Sequence, residues 1–251
     1  MKQLKKPLYF ALVTIPVAVV AGYFTILYQL EFLDAATVEL AVSQLGSLEA
    51  MKAVYVVQTV GYAFFCGFFG AILAEKTGLM KSFRFQKRAV LITLAVSAAG
   101  GVLFSLDYWT FGVWIPGVRE ATDLTLNFSV IVASVLYGGI VEELMLRLFM
   151  MSLIGWLLWK LFFRSREIPP KGTLIAANVI AALLFAAGHL PATVMLFGEL
   201  TPLIVLRCFL FNGGLGFLFG ELYRRYGIQY AMLSHALLHI ISKLIWAALA
   251  L

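Results

Sequence analysis

Long apolar stretches separated by short polar connections organise the sequence. They run over residues 8–30, 53–74, 89–106, 126–163, 173–190, 201–223 and 229–250. A helix needs about 20 apolar residues to cross a hydrocarbon layer roughly 30 Å thick. The pattern therefore predicts an all-α fold, a polytopic integral membrane helical bundle of about seven transmembrane helices within a range of six to eight. The fourth stretch is too long for one crossing. At 1.5 Å per residue it would measure about 57 Å, so it is expected to project beyond the membrane or to break into two pieces. Trp156, Trp159 and Lys160 near its end resemble an interfacial belt. Segment 107–125, with Trp109, Trp114, Pro116 and Gly117, reads as an outer loop containing a short interfacial helix. No repeat or soluble domain interrupts the pattern, so residues 1–251 form a single transmembrane domain.

Composition agrees: 62% of the residues are hydrophobic and 13% charged, against about 25% charged in soluble domains. Mean hydropathy is +0.95. The net charge of +6 is unevenly placed. Lys2, Lys5 and Lys6 precede the first stretch, and Lys76, Lys81, Arg84, Lys87 and Arg88 follow the second. Lys160, Arg164, Arg166 and Lys171 follow the fourth, and Arg224 and Arg225 the sixth. The alternate connections carry mostly Asp and Glu. This is the positive-inside pattern, and it predicts a cytoplasmic N-terminus. The basic loops then serve as topology signals and contacts for membrane lipids, which excludes a nucleic-acid surface. Leu8–Leu30 exceeds the roughly 7–15 residues of a signal-peptide core and reads as a first membrane helix. Cys66 and Cys208 have no metal or disulfide spacing and read as apolar filler.

Polar chemistry is concentrated inside the stretches. Glu142, Glu143 and Arg147 lie in the fourth, His189 in the fifth, and His235 and His239 in the seventh. Ionisable groups at such depth are costly and usually have a task. At about 100° per residue, Glu143 and Arg147 share a helix face one turn apart and are expected to pair. Glu142 points about 100° away from Glu143 and is left free as a general base or acid. Counted from the connection 164–171, Glu142 and His189 differ in height by only about 7 Å. His235 lies closer to the basic end, which requires the hairpin of stretches four and five to protrude or bend. His235 and His239 lie on one face, the spacing of two metal ligands, but without the His-Glu-x-x-His motif. Lys243 continues that face and is expected to snorkel to the outer interface, with substrate binding as the alternative. Gly216 and Gly220 have the spacing that lets membrane helices approach closely. No Gly-x-Ser nucleophile and no pair of membrane aspartates is present, so hydrolysis here would use activated water.

Glu-Glu-x-x-x-Arg (142–147), Phe-x-x-x-His (185–189) and His-x-x-x-His (235–239), in that order, resemble the CPBP (Abi) family of intramembrane proteases. That family includes type II CAAX prenyl endopeptidases and bacteriocin-processing enzymes. The resemblance covers about residues 126–245, which it marks as a catalytic core. It implies an intramembrane endopeptidase in which Glu142 activates water together with His189. His235 and His239 would stabilise the oxyanion or help bind a metal, and Glu143 and Arg147 would support the site. Position 239 departs from the more usual Asn. A neutral imidazole still donates one hydrogen bond, and it ligates zinc better than an amide does. The cofactor expectation is therefore Zn2+, held among Glu142, His189, His235 and His239, or none. The implied partners are peptide or protein substrates, prenylated or leader-bearing. A membrane transporter or proton-coupled carrier using the same groups is a competing expectation, as is an inactive family scaffold that binds peptides.

Overall fold

A computed structural model describes residues 4–124 and 127–249 of the chain. Lys2 and the outermost residues of three predicted segments (125, 126 and 250) lie outside them. Seven helices are long and apolar enough to cross a membrane: Lys5–Leu30, Leu48–Thr77, Lys87–Val113, Phe128–Phe162, Lys171–Phe197, Pro202–Tyr226 and Ile228–Leu249. They are called spans one to seven below. Among the described residues there is no strand. The protein is thus the all-α membrane bundle that its apolar pattern predicts.

Two connections carry helices of their own. Ala35–Leu45 forms a helix between spans one and two that the sequence pattern leaves as a loop. Asp34 starts it by accepting a hydrogen bond from the Thr37 N–H at 2.9 Å, the capping role for which a short carboxylate is suited. Between spans three and four, Pro116–Leu124 is the short helix expected there.

Without a hydrophobic drive between helices in lipid, small side chains and shared hydroxyls hold the bundle together. Span one lies along span two, with Gly22 against Thr59 and Gly67 against Ala11. Span three lies along span seven, where Gly100 and Gly101 receive Leu238 and Ile241. Ser97 donates to Ser234 at 3.2 Å across the same seam. Span four is central. Gly70 of span two meets the Leu148 backbone, and Gly139 meets Ala236 of span seven. The outer surface is rich in exposed Leu, Val and Phe, the face that a bilayer covers.

Span four neither ends early nor breaks. It starts as an α-helix at Phe128–Ala133, winds as π-helix over Ser134–Glu142 and Leu144–Met151, and ends as α-helix over Ser152–Phe162. A π turn closes i→i+5 hydrogen bonds, so it uses more residues for less height than an α turn. This winding takes up part of the excess length, and the 35 residues of the span still exceed one crossing. Trp159 is buried within the protein, and its Nε1–H donates to the Arg166 carbonyl at 3.1 Å. Cys66 and Cys208 are buried and unpaired.

Candidate active site

The two π segments flank a single residue, Glu143. This carboxylate is fully buried at 0% exposure and ties two spans together. One of its oxygens lies 3.2 Å from Arg147 Nη1 and 2.8 Å from His235 Nδ1. A carboxylate only accepts, so His235 carries its proton on Nδ1 and donates it to Glu143. Arg147, 2% exposed, meets Glu143 with neither terminal nitrogen well aligned for a hydrogen bond. Its flat cation lies instead over the rings of Phe185 and Phe219, 4.5 and 5.6 Å from their centroids. Such stacking suits a weakly hydrated guanidinium.

Gly216 makes room for this cation. A Cβ at that position would stand 2.7 Å from Arg147 Nη2. Gly220, four residues on, is filled by the side chain of Asn178, which donates to the Phe217 carbonyl at 3.0 Å. The small-residue spacing therefore admits side chains of neighbouring spans rather than a close pass of two backbones.

Glu142 and His189 form a second, more accessible pair. Their side chains are 18% and 31% exposed, and His189 Nε2 lies 3.8 Å from a Glu142 oxygen. That is beyond a direct hydrogen bond. His189 caps the end of helix Lys171–Gly188, just before helix Leu190–Phe197 begins. Its Nδ1 is 2.9 Å from the Phe185 carbonyl. A carbonyl accepts only, so Nδ1 carries the proton and Nε2 presents a lone pair toward Glu142. Phe185 thus uses both its backbone and its ring, one to orient His189 and the other to cover Arg147.

His239 stacks on His235 with ring centroids 5.1 Å apart, and His235 stacks on Phe219 at 4.5 Å. The Nδ1 of His239 is buried without a partner. An orphaned N–H would be costly there, so the proton of the neutral ring belongs on Nε2. Both Nε2 atoms face Gly138. A Cβ on that glycine would lie 3.3 Å from the Nε2 of His239 and 3.5 Å from that of His235. The missing side chain leaves a recess in front of two imidazoles, large enough for one oxygen atom. Gly138→Ala is expected to fold normally and to lose most activity, because its methyl group occupies this recess. Unchanged turnover in that variant, measured beside its thermal stability, would remove the recess from the chemistry.

The six polar residues singled out by the sequence are thus grouped as Glu142–His189, Glu143–Arg147–His235, and His239 stacked on His235. Gly138, Gly216 and Phe219 were not singled out as site residues. For Gly138 a signal existed in Gly138-Gly139, a glycine pair just before the glutamates. Nothing in the sequence marks the stacking role of Phe219. Among the described residues, no three His, Cys, Asp or Glu side chains gather as a metal-ligand set. A catalytic zinc takes three protein ligands, and the donors here divide into pairs.

The chain matches no curated protein and no solved structure. Residues 124–241, by contrast, match the family model described as type II CAAX prenyl endopeptidase Rce1-like. This stretch takes in the whole of the polar cluster between spans four, five and seven. Residues 124–241 are thus similar to the Rce1-like family of type II CAAX prenyl endopeptidases, in keeping with the CPBP resemblance of the motifs they carry.

Proposed function

We propose that the protein hydrolyses a peptide bond of a membrane-associated substrate with a water activated between Glu142 and His189. At family level it is a CAAX-protease-like membrane endopeptidase. The observation that carries the finer reading is the 3.8 Å approach of Glu142 to His189 Nε2. One water fits between two such atoms with a hydrogen bond to each. Its oxygen attacks the scissile carbonyl carbon as Glu142 takes one of its protons and His189 Nε2 accepts a hydrogen bond from the other. The carbonyl oxygen gains negative charge in the recess over Gly138, where His239 Nε2–H donates to it. His235 Nε2 stands beside it and donates when that ring holds both protons. Glu142 then returns its proton to the amide nitrogen, the C–N bond breaks, and a carboxylic acid and an amine leave, the acid passing its remaining proton to solvent or to the amine. Glu143 and Arg147 fix His235 from behind.

The reading routes no step through zinc, because the donors form pairs rather than a ligand trio. Dialysis against a chelator is expected to leave cleavage unchanged. A loss restored by Zn2+ alone would reassign the histidines to a metal. The substrate class we favour is a protein or peptide with a prenylated C-terminal CAAX cysteine, the class in the family's description. A leader-bearing peptide is the other option. The basic loops and Lys5 and Lys6 place the N-terminus in the cytoplasm in this reading. The test is purified protein in proteoliposomes with a prenylated CAAX peptide, the products being read by mass spectrometry. A single defined cut is expected. Peptide flux into the vesicles with no cut would favour a carrier.

A further inference from the structure

Among the described residues, Asp107, Glu143, Arg147 and Lys243 are the buried Asp, Glu, Arg and Lys side chains. Asp107 is held by Arg207, and Glu143 and Arg147 hold each other. Lys243 has no such partner. Its residue is 6% exposed, and among the described residues its ammonium forms no hydrogen bond or ion pair. It does not snorkel outward as its sequence position suggests. It lies one helical turn beyond His239 on the same face, close enough for its charge to act on that ring. Burying an ammonium without a counter-ion is expensive. A protein that keeps one beside its reacting groups gains from it when an anion arrives.

We infer that Lys243 is the receptor for the C-terminal carboxylate of the peptide substrate. The inference rests on the hydrolytic reading above for the substrate's path, and on the unpaired ammonium for its chemistry. Lys243 lies about 6 Å along the helix from His239 and about 12 Å from His235. An extended peptide advances about 3.3 Å per residue. A carbonyl in the recess over Gly138 and a carboxylate at Lys243 are therefore bridged by about two to four residues. The ammonium then acts as a ruler as well as an anchor: it selects substrates that end a short distance beyond the cut. An amidated or extended C-terminus leaves the ammonium unpaired and buried under the peptide.

The experiment uses two peptides, identical except that one ends in a free carboxylate and the other in a primary amide. The full-length protein is expected to cleave the acid with a kcat/KM about 30-fold or more above that of the amide. Lys243→Met is expected to bring the ratio close to one, and Lys243→Arg to keep most of it. A general packing defect would lower both rates and leave the ratio alone. The same two peptides, fluorescently labelled, are also titrated against the Glu142→Gln protein and the Glu142→Gln, Lys243→Met double variant. Tighter binding of the acid that disappears in the double variant supports the assignment even if no cleavage occurs, and in that case it is the hydrolytic reading that fails. No acid preference in the wild type, or a preference that survives Lys243→Met, overturns the assignment while leaving hydrolysis intact.

Discussion

Glu142→Gln is expected to lower the rate of peptide cleavage by about 10²–10⁴-fold, the usual contribution of a general base. The amide has nearly the shape of the carboxylate and keeps the contact with His189. It has no lone pair basic enough to take a proton from water at neutral pH. Glu142 is 18% exposed and among the described residues makes no direct hydrogen bond, its nearest partner being His189 at 3.8 Å, so little stability is at stake. The measurement is product formation in proteoliposomes, read beside a monodisperse elution profile and an unchanged thermal midpoint. Full activity would remove Glu142 as the base, and with it the proposed mechanism. Loss of both activity and folding would show that Glu142 is part of the scaffold.

Arg147→Met is expected to act in the opposite way, through stability. Removing one partner of a buried ion pair costs about 3–5 kcal/mol, because the other charge is left without compensation. Here the stranded group would be Glu143, which is 0% exposed. His235 would remain its one hydrogen-bond partner. The guanidinium also covers Phe185 and Phe219, so its loss opens a gap beside the histidines. The expected readout is a large fall in the thermal or detergent denaturation midpoint, together with reduced activity. Combining it with Glu143→Gln should restore part of the stability, since the double variant no longer buries an unpaired carboxylate. A midpoint equal to wild type for Arg147→Met would mean that the pair is held open to water, contrary to its burial.

These expectations draw on residues that were legible in the sequence to different degrees. The seven spans were readable because a bilayer accepts only helices of a certain length and polarity. Their partners were not: the seams of Gly22 with Thr59 and of Gly101 with Ile241 depend on which helix comes alongside, and periodicity does not encode that. The Glu143–Arg147 pair followed from spacing alone, as local pairs do. The contact between Glu143 and His235 did not, because it joins residues far apart in sequence at heights that a uniform rise per residue places apart. The π winding over Ser134–Met151 changes that conversion of residue count into height. Lys243 was misplaced for a related reason. A lysine on an apolar helix face is expected to reach for an interface, whereas the tertiary packing buries it.

The wide coil on either side of Glu143 makes spacing part of the chemistry. A segment that carries surplus backbone can lose a residue by tightening into ordinary α winding. A deletion that is not absorbed in this way would swing every group beyond it by about 100°. An otherwise silent one-residue deletion between Gly138 and Arg147 would then turn the acidic dyad away from both its histidine partners while leaving every functional letter in place. In this stretch the number of residues is as much a determinant of activity as their identity.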